Sequence, residues 1–230
     1  MTTAPGIEVR RFPSQADLQT ALIERLAAAI ASPPRPWGTA VMLSGGNTPL
    51  PAYRELAASN TPATPGLRVL FSDDRYVPST ASASNYHQIL PLLTALQLPD
   101  DSILRVRTEL PLEEAATDFE KRLDTLVQNK VHFGLGLLGL GADGHTASLF
   151  GPADIERSKG RRAIAVNRPD GMQAVSVTPE VLGWFDELIF VVAGADKHNA
   201  VHALWSGDER IAATHAVANR AQTELWIAEV

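Results

Sequence analysis

The sequence predicts a single α/β domain spanning residues 1–230. Its expected architecture is a mostly parallel sheet with helices on both faces, Rossmann-like, with a ligand site at the carboxyl ends of the strands. Three observations predict it. Short apolar runs such as Thr39–Leu43 and Phe133–Gly139 alternate with stretches whose apolar residues recur at helical spacing. Glycines and polar residues follow several of those runs, where strands of such a fold hand over to helices. A chain of 230 residues is long enough for one well-buried core and is most simply one domain.

The elements follow in order. Ser14 can cap a helix running to about Ala31, with Leu18, Leu22, Leu26 and Ile30 on one face, and Pro33–Pro36 end it. Thr39–Leu43 reads as a strand, Ser44–Thr48 as a glycine-rich turn, and a helix starts near Pro49, since proline is tolerated in a first helical turn. Asn60–Pro65 reads as a surface loop and Arg68–Ser72 as the next strand. A polar loop, Asp73–Ser84, leads to a helix from Asn85 to Leu96. Pro111 opens an acidic-to-basic amphipathic helix ending near Gln128. Phe133–Gly139, Arg162–Asn167, Ala174–Thr178, Leu188–Ala193 and Leu225–Ala228 read as strands, with a helix over Asp196–Trp205.

Composition narrows the function classes. Hydrophobic residues make up 45% and charged residues 20%, which is ordinary for a globular chain. The net charge is −6, and no basic cluster is longer than Lys159–Arg162, so no nucleic-acid partner is expected. An anionic small molecule must then be attracted locally, by a few cations and helix N-termini. There are no cysteines, hence no disulfide and no thiolate metal site, which fits a reducing cytoplasm. The first ten residues lack the pattern of a signal peptide, and no apolar run approaches a membrane span.

Four segments fall where such a fold binds ligands. In Ser44-Gly-Gly-Asn-Thr-Pro49, backbone N–H groups of Gly45, Gly46, Asn47 and Thr48 can turn toward a phosphate, with hydroxyls from Ser44 and Thr48; the alternative is a plain tight turn. In Ser72-Asp-Asp-Arg-Tyr-Val-Pro78, Arg75 can meet a phosphate in forked geometry; the alternative is a solvated charge cluster. In Gly139-Leu-Gly-Ala-Asp-Gly-His-Thr-Ala-Ser148, an apolar strand runs into Asp143 and His145. There a histidine can act as a base near neutral pH while a carboxylate orients it. Lys197, just beyond Gly194, is either a second cation for a phosphate or an exposed lysine.

Two patterns are set aside. Gly134-Leu-Gly-Leu-Leu-Gly139 matches a dinucleotide-binding spacing, but its glycines lie inside the apolar strand rather than after it. His198 and His202 have a metal-binding spacing but no glutamate beside them and no obvious third ligand. His87, His132 and His215 are isolated.

Together the four segments resemble the 6-phosphogluconolactonase family. That family carries an S-G-G-x-T-P loop, a D-E-R-x-V-P segment with S-N-Y/F about ten residues on, an L-G-x-G-x-D-G-H-T-A-S-L-F signature and a late G-x-x-K. Here they stand as Ser44–Pro49, Asp73–Pro78 with Ser84-Asn-Tyr86, Leu138–Phe150 and Gly194-Ala-Asp-Lys197. The resemblance implies hydrolysis of a phosphorylated sugar lactone in the pentose phosphate pathway. It implies His145 as the base with Asp143 at the same centre, and a substrate site built from Ser44, Gly45, Gly46, Asn47, Thr48, Arg75, Asn85 and Lys197. Asp73 is expected to orient His145 or a substrate hydroxyl. No metal or organic cofactor is expected, because an ester carbonyl is already electrophilic. A monomer or weak homo-oligomer is expected.

The chain departs from the family pattern at Asp74, where glutamate is usual, at Gly151-Pro152, where Pro-Gly is usual, at Ala174, where arginine is common, and at Glu229, where aspartate is common. The related glucosamine-6-phosphate deaminases follow their histidine with Ile-Ala-Phe-Asn-Glu. Thr146-Ala-Ser-Leu-Phe150 carries no such acid. A sugar-phosphate-sensing module of the same fold is the non-enzymatic alternative, against which the presence of both Asp143 and His145 argues.

Overall fold

The computed structural model describes residues 6–59, 61–218 and 222–228. The expectations for Met1–Pro5, Asn60 and Glu229 lie outside them. Ten strands and eight helices are described: β1 Ile7–Phe12, α1 Gln15–Ile30, β2 Thr39–Leu43, α2 Leu50–Ala58, β3 Leu67–Phe71, β4 Asp73–Arg75, α3 Asn85–Ala95, β5 Ile103–Leu104 and α4 Leu112–Gln128; then β6 His132–Leu138, α5 Pro152–Ser158, β7 Ala163–Asn167, β8 Gln173–Val177, α6 Pro179–Leu182, β9 Glu187–Val192, α7 His198–Ser206, α8 Ala212–Val217 and β10 Thr223–Ala228.

Seven strands form one sheet in the order β1-β10-β9-β6-β2-β3-β5, and every pairing in it is parallel. Alternate side chains point to opposite faces, and both faces are covered, so the central strands are apolar at most positions. Val41, Leu43, Val69, Phe71, Leu135, Ile189 and Val191 face a core shared with Leu18, Leu22 and Leu26 of α1, Tyr53 and Leu56 of α2, and Ile89 and Leu92 of α3. The intervening Ala40, Met42, Leu70, Leu188, Phe190 and Val192 face a second core, with Phe119 and Leu123 of α4 and Leu204 of α7. The helices expected at Ser14, Pro49, Asn85 and Pro111 are all present. Ser14 accepts from the Asp17 N–H, and Ser84 from the His87 N–H, as N-caps.

The structure corrects several expectations. β7 and β8 do not join the large sheet. They pair antiparallel with each other, and β8 with β4, in a second three-stranded sheet. β4 lies inside the segment expected to be a polar loop. Its Asp73 and Asp74 are buried because neighbouring hydroxyls and N–H groups satisfy their carboxylates. Polar composition reads as a loop when its hydrogen-bond partners come from elsewhere in the chain. β1 carries no clear strand signal because it is an edge strand with Glu8, Arg10 and Arg11 along it. β5, α5, α6 and α8 are too short to show a period.

The chain order along the sheet runs outward from β2 to β3 and β5 on one side, and from β6 to β9 and β10 on the other. The crevice between such halves, at the carboxyl strand ends, is where open α/β sheets hold ligands.

Candidate active site

A cavity of about 370 Å³ opens at those carboxyl ends. The ends of β2, β3, β6 and β9 all reach it, through Ser44, Ser72, Gly139 and Val192. The glycine-rich turn after β2, Asp73, Arg75, Asn85, His145 and Lys197 all line it. The four segments that look separate in the sequence therefore converge. Of the patterns set aside, Gly134 and Gly136 sit within β6 and only Gly139 reaches the cavity, while His198 and His202 lie on α7.

The chain leaves β6 into a tight turn that positions His145. The Gly144 N–H donates to Gly141 O at 3.0 Å, and the Gly141 N–H donates to His145 O at 2.8 Å. Glycine is required at both corners. A Cβ on Gly141 would lie 2.0 Å from His145 Nδ1, and Gly144 has φ +81° with Ile211 Cγ2 2.4 Å from where a Cβ would stand. Thr146 anchors the far side of the turn, donating from Oγ1 to Gly139 O at 2.9 Å.

Asp143 Oδ1 lies 2.6 Å from His145 Nδ1 and accepts from the His145 N–H at 3.1 Å. Partial burial works against a charged Asp143, but the bonds from the His145 ring and amide outweigh it and hold the carboxyl below its usual range. An ionised Asp143 can only accept, so in the neutral imidazole the proton sits on Nδ1 and the lone pair on Nε2. The imidazole packs against the Phe150 ring, centroids 4.6 Å apart.

Two glycines shape the turn after β2 where it lines the cavity. Gly46 has φ +105° with open space where a Cβ would stand, and Gly45 leaves room for Asn85, whose Oδ1 would be 1.9 Å from a Cβ. Two carbonyls of the turn are engaged elsewhere: Tyr53 OH donates to Ser44 O at 3.0 Å, and Gln19 Nε2 to Thr48 O at 2.6 Å. Burial drives the Tyr53 hydroxyl pKa far up, so it stays a donor. Ser44 Oγ and Arg75 Nε are buried without a hydrogen-bond partner.

β4 and the start of α3 form one network. Arg75 Nη1 donates to Asn85 Oδ1 at 2.5 Å, and Asn85 Nδ2 to Asp73 O at 2.8 Å. Asp74 accepts from the N–H groups of Asn85 and Tyr86 and from Ser84 Oγ. Burial nevertheless pushes its pKa up to about 6, with the Asp73 charge adding to the rise. Asp73 accepts from Ser72 Oγ at 2.9 Å and Ser148 Oγ at 2.7 Å. Asp143, rather than Asp73, is thus the acid on His145, and Asp73 instead ties β4 to the His145 turn. Lys197 stands at the amino end of α7, with Asp196 Oδ2 3.3 Å from its Nζ.

One cavity residue carries no functional signal in the sequence. Arg168, in the hairpin between β7 and β8, lines the cavity with its side chain 10% exposed. Arg168-Pro-Asp-Gly171 reads in the sequence only as a turn between two strands. Nothing local marks that guanidinium as turned inward. Ala174, where an arginine is common, is fully buried opposite Arg75 in the β4–β8 ladder.

Comparison with known proteins bears on the family and the fold. Residues 13–226 match the family model described as glucosamine-6-phosphate isomerases/6-phosphogluconolactonase. A 6-phosphogluconolactonase of Synechocystis sp. is 35% identical, with 88% of this chain and 86% of that protein covered. The 6-phosphogluconolactonase of Homo sapiens is also 35% identical, over 84% of this chain and 79% of that protein. Among solved structures, 6-phosphogluconolactonase from Thermotoga maritima superimposes with a TM-score of 0.79 at 23% identity, covering 97% of this chain and 99% of that one. A monomeric glucosamine-6-phosphate deaminase shares the fold with a TM-score of 0.79 at 16% identity, over 96% of this chain and 97% of that one. By the extent of the family match and the identity of these relatives, the chain belongs to the glucosamine-6-phosphate isomerase/6-phosphogluconolactonase family.

Proposed function

We propose that this protein hydrolyses 6-phospho-D-glucono-1,5-lactone to 6-phosphogluconate, a step of the pentose phosphate pathway, with His145 as general base. The observation that carries this reading is the imidazole held through Nδ1 by Asp143 at 2.6 Å, with Nε2 left for a ligand, in a cavity that Arg75, Lys197 and the glycine turn after β2 also line. The names of the relatives point the same way. Residues 1–230 act as one lactonase domain in this reading, in the cytoplasm. Among the described residues no helix is long and apolar enough to cross a membrane.

The N–H groups of Gly45–Thr48 hold the 6-phosphate with Arg75 and Lys197, which places the lactone carbonyl near His145. Water attacks that carbon while His145 Nε2 takes one of its protons, and the carbonyl electron pair moves onto oxygen. Asp143 stabilises the imidazolium so formed. The oxygen pair then returns, the bond from carbonyl carbon to ring oxygen breaks, and His145 gives its proton to that oxygen. The carboxylic acid product loses its proton to solvent.

The family name also covers the amino-sugar isomerases. The residues after His145, Thr146-Ala-Ser-Leu-Phe150, carry no carboxylate for ring opening and isomerisation. Parallel assays on fresh 6-phosphogluconolactone and on glucosamine 6-phosphate test the choice: activity on the lactone alone is expected, and activity on the amino sugar alone would overturn it. His145→Ala should lower kcat by ~10²–10⁴-fold with a smaller change in KM. Unchanged kcat in a folded variant would remove His145 from the mechanism.

A further inference from the structure

We propose that Arg168 is a substrate-contacting residue that recognises the lactone carbonyl, stabilising its oxyanion during hydrolysis and the carboxylate of the product. The proposal rests on the lactonase reading above and extends it to the end of the substrate opposite the phosphate.

Four observations carry it. First, the Arg168 side chain is 10% exposed and lines the same cavity as His145. A guanidinium so far out of water implies a purpose beyond solubility. Second, it shares an aromatic ring with the base. The Arg168 guanidinium carbon lies 5.1 Å from the Phe150 centroid, and the His145 ring centroid 4.6 Å from it. Arg168 therefore stands at the catalytic end of the cavity. Third, its orientation is set from two sides. Asp170 takes bonds from Nε at 3.1 Å and Nη2 at 3.0 Å, while Nη1 donates to Ser148 Oγ at 3.0 Å. Ser148 in turn donates to Asp73 Oδ2 at 2.7 Å. Fourth, these bonds occupy three of the five N–H groups a guanidinium carries, leaving one on each terminal nitrogen for a ligand.

The chemistry needs such a group there. When water adds to the lactone carbonyl, a full negative charge forms on the carbonyl oxygen, and the product keeps a negative charge on the same atoms. A fixed cation that is already out of water stabilises that charge without reorganising. In the lactonase reading Lys197, Arg75 and the glycine turn hold the phosphate, and Asp143 is negative. Arg75 also lines the cavity but is tied to Asn85, whereas Arg168 shares the Phe150 ring with the base.

The test separates the two ends of the substrate. Arg168→Ala and Arg168→Lys should be assayed for lactone hydrolysis, and for inhibition by 6-phosphogluconate and by glucitol 6-phosphate, which has the phosphate but no carboxylate. Arg168→Ala should lower kcat about 10–100-fold and weaken 6-phosphogluconate at least tenfold, with glucitol 6-phosphate changed less than twofold. Arg168→Lys, which keeps the charge and loses the fork, should recover part of both losses. Equal weakening of both inhibitors would assign Arg168 to the phosphate and overturn the proposal. So would unchanged kcat and inhibition in a variant of normal thermal stability. If the alanine variant does not fold, the lysine variant carries the same comparison. An inactive wild-type protein would instead refute the lactonase reading itself.

Discussion

Replacing Asp143 with asparagine tests the catalytic centre most directly. The side chain keeps its size but loses its charge, and the new amide can present an N–H to His145 Nδ1 as readily as an oxygen. In the native protein the carboxylate oxygen is 2.6 Å from Nδ1. When His145 takes the proton from water, it becomes a cation beside this anion. Two unit charges with centres about 4 Å apart attract by ~4 kcal/mol at an effective dielectric of about 20. The pair is partly open to water, with side-chain exposures of 54% for Asp143 and 28% for His145, so solvent screens the attraction to roughly half. The remaining ~2 kcal/mol corresponds to a loss of roughly 10–100-fold in rate. The assay is steady-state hydrolysis of freshly made 6-phosphogluconolactone, corrected for spontaneous opening. The loss should fall on kcat with KM within about twofold, because Asp143 acts on the base and not on the phosphate. Gly141→Ala should mimic it, since the new methyl would stand 2.0 Å from His145 Nδ1 and force the ring aside. Native kcat in a folded Asp143→Asn protein, or a loss confined to KM, would refute the reasoning.

Other perturbations should act elsewhere. Lys197→Ala and Arg75→Ala should weaken inhibition by 6-phosphogluconate at least tenfold and leave slow turnover of the unphosphorylated lactone almost untouched, since a charge-assisted contact is worth ~1.5–3 kcal/mol. Lys197 is the cleaner probe, because Arg75 also holds Asn85; equal damage to both substrates would mean these cations support the fold. Asp74 should make stability depend on pH: its carboxyl pKa is about 6 when folded against 3.8 as the ordinary value. Between those values the folded state keeps a proton that the unfolded chain releases, so this group's contribution falls as pH rises from about 4 to 6, by roughly 3 kcal/mol at most. Urea unfolding at both ends of that window should show the fall in the native protein and lose it in Asp74→Asn; an identical pH dependence in the two proteins would refute it. Exhaustive chelation should leave kcat/KM unchanged, as the scheme uses only protein groups; activity lost to chelator and restored by zinc would recast Asp143 and His145 as ligands.

Local signals in the sequence carried β2, β3, β6, β9 and β10 of the large sheet and its longer helices. Ala40–Leu43 and Phe133–Gly139 are apolar at every position because both faces of their sheet are covered, and Leu18, Leu22, Leu26 and Ile30 keep a helical period because one face of α1 is buried. The turns after β2 and β6 were legible too. Gly45, Gly46, Gly141 and Gly144 stand where no side chain fits or where φ is positive, and such constraints mark the sequence itself.

What only the tertiary structure decided involves partners far apart in the chain. Asp73 and Asp74 look like solvated charges until Ser148 and the start of α3 arrive to bond them. β4, β7 and β8 look like a loop and two members of the main sheet until their antiparallel pairing separates them. The choice of Asp143 over Asp73 as the partner of His145 follows from how the turn after β6 closes. Arg168 belongs to the cavity only because the β7–β8 hairpin folds its guanidinium against Phe150 and Ser148. A burial pattern repeats along the chain and can be read from it, whereas a single long-range hydrogen bond leaves no period behind.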